Sequence, residues 1–408
     1  MRVAFFAPSF PELSETFILR QVTGLLDRGH DVRVFAYRAA RGGPSHEAVE
    51  RYELRARTTV LPHRSDRAPV VLPPPGVLGH LRRAHARRVG GMATLVRTLA
   101  VLKAAGPFDV VHCHYGHIGL RYLFAARLWR APLVASFYGH DVSVFPREHG
   151  RDVYRPLFAA AHALVSLSGQ MDDRLVALGA DVRRLRRVPL AVDEAACGAG
   201  PRPHATAEAD AGVSAGAPDA PRILTVARLT EKKGLEHALR AVALLRHELP
   251  GLRYEVIGEG PLRPRLEALA RELDVHDVVR FVGARDGGVV HQRMREADVF
   301  LLPSVTAADG DEEGTPTVLL EAGACGLPVV STLHAGIPEI VRDGESGYLV
   351  PEGDHEALAA RLRVLLRSPE RRRAMGEAGR RRVLAEHTTA AVAGRLEALY
   401  AELLERAP

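Results

Sequence analysis

Short apolar runs alternate with helix-length amphipathic segments along the first half of the chain. A buried strand is predicted at Val3–Pro8, followed by a helix over Ser14–His30 in which Ser14 suits the N-cap and Gly29 lies near the end. Further strands are predicted at the apolar runs Asp31–Tyr37, Phe108–His114, Pro132–Phe137 and Ala163–Ser168. Strands that alternate with helices predict a parallel sheet covered by helices on both faces.

The same alternation restarts in the second half, after a segment of different composition. Residues Asp193–Pro221 are rich in Ala, Gly and Pro and lack apolar periodicity, which predicts a linker or loop. Beyond it we predict a helix over Gly234–Pro250 and a helical end to the chain from about Asp354. Strands are predicted at Arg222–Arg228, Arg253–Gly258, Val278–Gly283, Ala297–Pro303 and Leu327–Thr332.

These elements predict two Rossmann-like α/β domains. We expect an N-terminal domain over residues 1–192, a linker over 193–221 and a C-terminal domain over 222–387, with a last helix over 388–408 that can pack back on the N-terminal domain. Parallel sheets bind ligands outside the carboxyl ends of their strands. Two such sheets that face each other would therefore enclose a ligand cleft.

The composition is that of an ordinary globular chain of 408 residues, 47% hydrophobic and 25% charged, which is enough for two cores. No apolar run reaches the roughly 18 residues that span a bilayer, and the opening MRVAFFAP is too short for a signal peptide. Cys113, Cys197 and Cys325 are odd in number and widely spaced, which predicts neither a disulfide framework nor a zinc site. We therefore expect the reducing cytosol as the compartment.

The charge is uneven along the chain. Residues 1–190 contain 28 Lys+Arg against 15 Asp+Glu, and the remainder contains 27 against 34. A basic first half favours an anionic partner such as a membrane surface or a phosphate-bearing acceptor, although the two halves could instead attract each other. No nucleic-acid partner is predicted. Candidates for contacting lipid phosphate, or equally for solvated helix faces, are Arg82, Arg83, Arg87, Arg88 and the Arg183–Arg187 cluster.

The segment VARLTEKKG places two cations between a strand and a helix. Arg228 follows the strand, and Lys233 precedes a helix that is predicted to start near Gly234. Only three of the 55 cationic residues are lysines, and two of them are the adjacent Lys232 and Lys233. Two cations beside the free amides of a helix start suit a phosphate group, whereas either residue alone would be interpreted as solvated.

The segment GDEEGTPTVLLEAGACGLPVVST places Glu313 and Glu321 on either side of a predicted helix start. Thr315 is predicted to cap the helix, Pro316 to take its first position, and Gly314 to allow a ligand close to the backbone. The helix amides could hold an anion while the carboxylates accept hydrogen bonds from sugar or ribose hydroxyls. The alternative is that Glu313 is one of four acidic residues on a solvated loop.

Taken together, the motifs resemble the retaining glycosyltransferases of family 4, which have the GT-B fold of two facing Rossmann-like domains. The resemblance covers the second half in order, through RLTEKKG, the Glu313/Glu321 pair, GLPVVST, AGIPEIV and DGESGYLV. In the first half, SFPELSETFI, FDVVHCHYG and ASFYGHDVS resemble exopolysaccharide-type members, the glycosyl transferases group 1.

The resemblance implies roles for individual residues around a nucleotide-diphosphate sugar. Arg228 and Lys233 would contact the diphosphate, Glu313 the transferred sugar and Glu321 the ribose. The amides of Gly314, Thr315 and Pro316 would approach the phosphate and sugar, and the base pocket would be lined by Gly258, Glu259, Val282 and Gly283. A dinucleotide fingerprint at Gly258 is weak because Arg263 occupies the third glycine position.

The first half departs from the family pattern at two places. Tyr138 occupies the position where many relatives carry a histidine near the reacting sugar, and His140 follows two residues later, so either could contact the donor. The glycine-rich loop of many relatives is replaced by Pro8–Thr16, which implies that Glu15, Thr16 and His114 bind the acceptor. His112 and His114 would face one side of a strand, where a hydrogen-bonding role is favoured over a metal site.

The resemblance implies transfer of a sugar, with retention of configuration, from a nucleotide-diphosphate sugar to a hydroxyl group. A UDP-sugar is the first expectation for the donor, and the acceptor would be a glycan, a lipid-linked glycan or a specialised metabolite. No metal or cofactor is implied beyond this co-substrate. The rival functions are a sugar-nucleotide epimerase or hydrolase and a non-enzymatic sugar-nucleotide-binding protein. The expected location is cytoplasmic, with a peripheral position on the inner face of the membrane as an alternative.

Overall fold

The computed structural model describes residues 1–12, 15–40, 46–65, 83–193, 198 and 220–406. The chain forms two compact units. Unit 1 comprises Met1–Ala191 together with Thr389–Pro408, and unit 2 comprises Val192–Thr388. Each unit is an α/β layer structure built on one parallel sheet, and the two are described separately.

Unit 1 is built on a seven-stranded parallel sheet with the strand order β3-β2-β1-β4-β5-β6-β7. Its strands are β1 (Arg2–Phe10), β2 (Asp31–Ala39), β3 (Thr58–Val60), β4 (Val110–His114), β5 (Leu133–Ser136), β6 (Ala163–Ser166) and β7 (Leu185–Arg187). The central strands are apolar on both faces because helices cover both sides. All five residues of β4 and all four of β5 and β6 are buried.

Helices of unit 1 connect successive strands. They are α1 (Thr16–Asp27), α2 (Glu47–Arg51), α3 (Arg83–Val89), α4 (Met92–Ala105), α5 (Gly116–Tyr122), α6 (Phe124–Trp129), α7 (Gly139–Val142), α8 (Val144–His149), α9 (Arg155–Ala160) and α10 (Gly169–Ala177). α1 begins at Thr16 with Glu15 at its N-cap, and the predicted N-cap Ser14 lies outside the described residues.

Unit 2 is built on a six-stranded parallel sheet with the order β10-β9-β8-β11-β12-β13. The strands are β8 (Arg222–Val226), β9 (Arg253–Ile257), β10 (Val279–Gly283), β11 (Val299–Leu302), β12 (Val329–Thr332) and β13 (Gly347–Val350). The helices are α11 (Leu235–Leu245), α12 (Arg263–Glu272), α13 (Gly287–Glu296), α14 (Thr317–Ala324), α15 (Ile337–Ile340), α16 (His355–Leu366) and α17 (Pro369–Glu386). Short 3-10 helices lie at Val182–Arg184 and Glu231–Lys233.

The last helix, α18 (Thr389–Glu405), belongs to the core of unit 1. Val392, Leu396 and Tyr400 on this helix are fully buried. A Cβ added to Gly24 of α1 would lie 2.8 Å from the Cβ of Ala393, so the glycine permits close packing of α1 and α18. The C-terminal helix therefore completes the layer that covers β1 and its neighbours.

The predicted α/β alternation is confirmed, and most predicted strands occur with shorter ends. Three strands were not predicted, β3, β7 and β13, which are edge strands of three or four residues. Only Asp193, Gly198, Ala220 and Pro221 of the predicted linker are among the described residues.

The cysteines and the helix lengths bear on two of the predictions. Cys113 is a buried free thiol, whereas Cys325 is disulfide-bonded, a bond that the odd number and wide spacing of the cysteines did not predict. Cys197 lies outside the described residues. No helix in the described part of the chain is both long and apolar enough to cross a lipid bilayer.

Candidate active site

The site of unit 2 lies at the point where its strand order changes direction. β8 and β11 are neighbours, but the chain proceeds from β8 outward to β9 and from β11 outward to β12 on the other side. Such a switch point leaves a crevice at the carboxyl ends of the two strands, where open parallel sheets bind ligands. The segment after β8 carries Arg228 and Lys233, and the segment after β11, residues 303–316, carries Glu313.

Lys233 and Glu313 meet at this switch point. Lys233 Nζ lies 2.6 Å from Glu313 Oε1, and the two side chains are only 12% and 8% exposed. The turn into α11 adopts a left-handed conformation at Gly234, with φ of 63°, and a Cβ there would lie 1.8 Å from the Pro303 carbonyl oxygen. Only glycine lets the two segments approach this closely, which is what brings the ammonium to the carboxylate.

Neighbours of Lys233 hold the same 303–316 loop. Lys232 Nζ lies 2.9 Å from Asp311 Oδ2 and donates to the Glu312 carbonyl oxygen at 3.3 Å. Glu231 Oε1 accepts the Ala308 N–H at 2.9 Å. Three consecutive residues of one 3-10 helix therefore anchor the loop, so Glu313 is not a member of a freely solvated acidic run.

His334 and Glu352 also hold the 303–316 loop, through contacts separate from those of the 3-10 helix. Neither residue was predicted from the sequence. His334 is 1% exposed and its Nε2 accepts the Glu313 N–H at 3.1 Å. Its Nδ1 lies 2.6 Å from Glu352 Oε1. The available signal was position alone, since His334 directly precedes the AGIPEIV motif that begins at Ala335.

Helix α14 starts one residue later than predicted. Pro316 is at the N-cap and Thr317 is the first helical residue, so the predicted cap at Thr315 is wrong by one position. The Thr315 hydroxyl is buried without a hydrogen-bond partner. Within the described residues, the N–H groups of Gly314 and Thr315 make no hydrogen bond. Unpaired amides next to a helix N-terminus are suited to an anionic ligand.

Arg228 is exposed and lies two residues beyond the end of β8. Among the described residues its guanidinium group has neither a hydrogen bond nor an ion pair. Arg228 thus lies on the same connecting segment as Lys233, and its positive charge has no partner among the described residues.

The predicted base-pocket residues lie in the loop directly after β9 and at the carboxyl end of β10. Gly258 has φ of 139°, and a Cβ there would lie 1.8 Å from the Ala227 carbonyl oxygen, so this glycine serves the close approach of two loops. Glu259 Oε1 pairs with Arg263 at 2.7 Å, and a Cβ on Gly283 would lie 2.9 Å from that same oxygen. Val282 is half-buried beside them.

Glu321 lies in the second turn of α14, as predicted. Its side chain is 24% exposed, and its Oε2 lies 3.8 Å from His291 Nε2. The carboxylate therefore keeps an accessible side for a hydroxyl donor.

The site of unit 1 also lies at a switch point, between the neighbouring strands β1 and β4. His112 and His114 are fully buried, and their rings stack at 4.6 Å. Both nitrogens of His112 are used, with the Tyr400 hydroxyl 2.6 Å from Nδ1 and Ser136 Oγ 2.7 Å from Nε2. Burial lowers the pKa of His112 to about 3, so the ring is neutral and serves as a hydrogen-bonding core residue.

The Tyr138 hydroxyl makes an internal hydrogen bond, whereas the His140 side chain makes none among the described residues. Tyr138 is 7% exposed and its hydroxyl shares a hydrogen bond of 2.8 Å with His114 Nδ1. His114 Nε2 is buried without a partner, and burial, with the neighbouring His112 as a smaller cause, holds the pKa of His114 well below its ordinary value. His140 is exposed, with its ring 6.3 Å from that of Phe145.

Glu15 and Tyr115 face each other after β1 and β4. Glu15 Oε1 accepts the Tyr115 hydroxyl at 2.9 Å, and Glu15 Oε2 is buried without a partner. Burial raises the pKa of Glu15 to about 7, only partly offset by the Tyr115 hydrogen bond. Tyr115 adopts a left-handed φ of 73° to make this contact. Thr16, the first residue of α1, is half-buried next to Glu15.

The arginines of the Arg183–Arg187 cluster, which follows α10, pair with other groups of the protein. Arg183 pairs with Asp181 at 2.8 Å, Arg186 with Glu402 at 2.7 Å and Arg187 with Asp172 at 2.6 Å. Arg184 donates to the carbonyl oxygens of Phe158 and Ala161. Of the other candidates, Arg87 is exposed and Arg88 half-buried, while Arg82 and the side chain of Arg83 lie outside the described structure.

Within the described part of the chain, no group of three or more His, Cys, Asp or Glu side chains is arranged to hold a metal ion.

Comparisons with known proteins give a consistent result over both units. The family model "Glycosyl transferases group 1" matches residues 208–382, and the model "Glycosyl transferase 4-like domain" matches residues 14–191. The chain is 36% identical over 383 residues to the amylovoran biosynthesis glycosyltransferase AmsK of Erwinia amylovora, covering 90% of each chain. It is 35% identical to the putative colanic acid biosynthesis glycosyltransferase WcaL of Escherichia coli K12, covering 89% of this chain and 90% of the relative.

Solved structures share the fold at lower identity. HepE of Anabaena, solved in complex with UDP and glucose, superimposes with a TM-score of 0.70 at 17% identity, over 99% of this chain and 100% of HepE. WaaG, a glycosyltransferase involved in lipopolysaccharide biosynthesis, superimposes with a TM-score of 0.63 at 20% identity, over 98% and 99% of the two chains. This chain belongs to the group 1 glycosyltransferases and has their GT-B fold of two Rossmann-like domains.

Proposed function

We propose that this glycosyltransferase moves a sugar from a nucleotide-diphosphate sugar, with UDP-sugars first, to a hydroxyl group of a glycan or lipid-linked glycan in exopolysaccharide biosynthesis. A specialised metabolite is the alternative acceptor. The relatives AmsK and WcaL are named for amylovoran and colanic acid biosynthesis, and HepE was solved with UDP and glucose, which supports both choices. The single observation that carries the proposal is the largely buried Lys233–Glu313 pair beside the amides of Gly314 and Thr315, which are unpaired among the described residues.

Charge development in the reaction explains this arrangement. The bond from the anomeric carbon to the phosphate oxygen breaks, and its electron pair goes to the diphosphate. The bond to the acceptor oxygen forms, and the hydroxyl proton passes to the departing phosphate oxygen. Lys233, Arg228 and the amides of Gly314 and Thr315 stabilise the growing negative charge, because fixed positive groups are most effective where charge appears.

Carboxylates bind the donor through its hydroxyl groups. Glu313 accepts hydrogen bonds from the transferred sugar and Glu321 from the ribose, while Gly258, Glu259, Val282 and Gly283 line the base pocket. The four cationic and amide groups supply the charge that the diphosphate needs, so the transfer proceeds without a metal ion or cofactor. The acceptor hydroxyl enters on the same face as the leaving phosphate, which retains the configuration of the sugar.

Unit 1 supplies the acceptor groups in this proposal. Glu15 offers its unpaired Oε2 to an acceptor hydroxyl, with Thr16 and His114 as further contacts. Because the Arg183–Arg187 cluster is paired internally, peripheral contact with an anionic membrane would depend on Arg82, Arg83, Arg87 and Arg88. Sedimentation with anionic liposomes at low and high salt tests this contact, and binding that ignores both lipid charge and salt would exclude it.

A thermal-shift screen against UDP-, GDP- and ADP-sugars tests the donor. Free ligand at about 100 times its Kd adds about 2.7 kcal/mol to folded-state stability, so the true donor should raise the Tm clearly. The matched UMP control lacks the second phosphate and should give a smaller shift. No shift with any sugar nucleotide would contradict the proposal.

Product analysis with the identified donor tests the reaction class. Transfer to an acceptor in the presence of EDTA, with the donor configuration kept at the anomeric carbon by NMR, is the expected result. Rapid donor consumption without an acceptor would instead indicate a hydrolase or epimerase. Tight donor binding without any product would indicate a sugar-nucleotide-binding protein.

A further inference from the structure

The buried imidazole of His334, together with Glu352, connects two points of the 303–316 loop. His334 lies two residues beyond the end of β12 and is 1% exposed. Its Nε2 accepts the Glu313 N–H at 3.1 Å, and its Nδ1 lies 2.6 Å from Glu352 Oε1. The other oxygen of Glu352, Oε2, accepts the Thr306 N–H at 2.8 Å. The pair His334–Glu352 therefore holds the loop at Thr306 and again at Glu313.

The hydrogen-bond directions fix the form of the imidazole. A backbone N–H can only donate, so Nε2 must present a lone pair to Glu313. The proton of a neutral ring then lies on Nδ1, where it is donated to Glu352. Burial raises the pKa of Glu352, but the Thr306 N–H and His334 lower it more, so the carboxylate is ionised and accepts that proton. The ring is thus set in the Nδ1–H tautomer.

A further hydrogen bond shows that the segment after β12 shapes the 303–316 loop. The Gly336 N–H donates to the Gly314 carbonyl oxygen at 3.2 Å, two peptides beyond the one whose N–H His334 accepts. Ala335 between them has a left-handed φ of 47°. Two peptides of the 303–316 loop are therefore bound by the segment after β12, while the N–H groups of Gly314 and Thr315 have no hydrogen-bond acceptor among the described residues.

We propose that His334, oriented by Glu352, is a positioning residue for the donor diphosphate. By accepting the Glu313 N–H it turns this peptide inward, so that the Glu313 carboxylate meets Lys233 and the next two amides stay unpaired for phosphate oxygens. A group that fixes a peptide in advance removes the cost of ordering it when the ligand binds. This inference rests on the proposed function for the identity of the ligand, but its hydrogen-bond geometry does not.

Two substitutions separate the two nitrogens of the ring. In His334→Gln the side-chain oxygen can replace Nε2 as acceptor for the Glu313 N–H. In His334→Asn the amide nitrogen can replace Nδ1 as donor to Glu352, and the Glu313 N–H is left without an acceptor. Calorimetric affinity for UDP-glucose or, if the screen selects it, GDP-mannose is expected to fall tenfold or more in His334→Asn and less than threefold in His334→Gln. The exposed His276→Gln is the matched control and should leave affinity unchanged.

The protein without ligand provides a readout that is independent of the proposed function. Nitrogen-15 NMR of the wild-type His334 ring should report the Nδ1–H tautomer, and amide exchange of Glu313 should accelerate at least tenfold in His334→Asn but not in His334→Gln. An Nε2–H tautomer, an imidazolium ring, or equal effects of the two variants would overturn the inference. If His334→Asn does not fold, the wild-type spectrum decides alone. If the Nδ1–H tautomer and the predicted amide exchange of Glu313 are observed but the protein binds no sugar nucleotide, the proposed function is contradicted and the positioning role of His334 is not.

Discussion

The ammonium of Lys233 and the carboxylate of Glu313 pair with each other at 2.6 Å and are largely shielded from water. The proposed donor offers a better partner to each, because a diphosphate attracts the ammonium and sugar hydroxyls donate to the carboxylate. The ion pair keeps both groups in place until the donor arrives. Partner exchange of this kind keeps a buried charge neutralised at every stage.

Lys233→Ala should lower turnover about 100-fold, which corresponds to about 3 kcal/mol of lost transition-state stabilisation. Lys232→Ala is the matched control, since its partner Asp311 is 29% exposed and can be solvated by water. Steady-state kinetics with the donor from the screen should show a loss of less than tenfold for the control. Equal losses in both variants would remove the special role of Lys233.

A double-mutant cycle on Lys233→Met and Glu313→Gln should report a coupling of about 1–3 kcal/mol in the free energy of unfolding. Each single variant leaves its partner buried and unpaired, whereas the double variant removes both charges. Urea unfolding of the four proteins measures the cycle. Additive effects would indicate that the contact contributes nothing to the fold.

Glu15 should make stability fall as the pH rises. Its pKa in the folded protein is about 7 against an ordinary value of 4.5, so the folded state favours the protonated form. Stability is therefore lost from about pH 4.5 upward until about pH 7, by up to about 3 kcal/mol. Glu15→Gln should remove most of this difference between pH 5 and pH 8 in urea unfolding. A pH dependence identical to that of the wild type would show that the carboxyl is not desolvated.

Tyr138→Phe should lower stability, whereas His140→Ala should leave stability nearly unchanged and lower turnover. Loss of the Tyr138 hydroxyl leaves the buried His114 Nδ1 unpaired, which should cost about 1–3 kcal/mol of unfolding free energy. His140→Ala should leave stability within about 0.5 kcal/mol because the ring is exposed, yet lower kcat/KM for the donor about tenfold. Unchanged kinetics in His140→Ala would assign the donor contact to Tyr138 instead.

Gly258→Ala should destabilise unit 2 by about 3 kcal/mol or more, because the new Cβ would lie 1.8 Å from the Ala227 carbonyl oxygen at a φ of 139°. Gly344→Ala is the control, since its φ of 76° is also strained but its Cβ would meet nothing within 4 Å. The control should lose only about 1 kcal/mol. Thermal unfolding distinguishes the two, and equal losses would contradict a steric role for Gly258.

Much of the fold could be predicted because its signals are local. Buried strands such as Val110–His114 are continuous apolar runs, and Gly234 marks the turn into α11 directly in the sequence. The edge strands Thr58–Val60 and Leu185–Arg187 were not predicted because each has only three residues, two of them polar, which is too short to show a periodicity. The N-cap at Pro316 was misplaced by one residue because threonine is a preferred N-cap and proline is preferred at the first helical position, which favoured Thr315 as the cap.

Contacts between distant residues could not be predicted from local pattern. His334 meets Glu313 across 21 positions, and His112 meets Tyr400 across 288. A histidine in an apolar stretch carries no sign of which nitrogen will be bonded or to what. Lys233 and Glu313 could be proposed as neighbours only because the resemblance gave both a role at one ligand, and the distance between their charges required the structure.

The helix Thr389–Glu405 has a practical consequence for anyone who wishes to dissect this enzyme. Because it supplies Tyr400 to His112 and fills the groove beside α1, a fragment ending at residue 191 would expose an unfinished apolar layer to water. Excision of the first unit therefore requires a fusion of residues 1–191 to 389–408, or co-expression of the tail as a separate peptide. Unit 2, by contrast, is one continuous segment inserted between the two parts of unit 1.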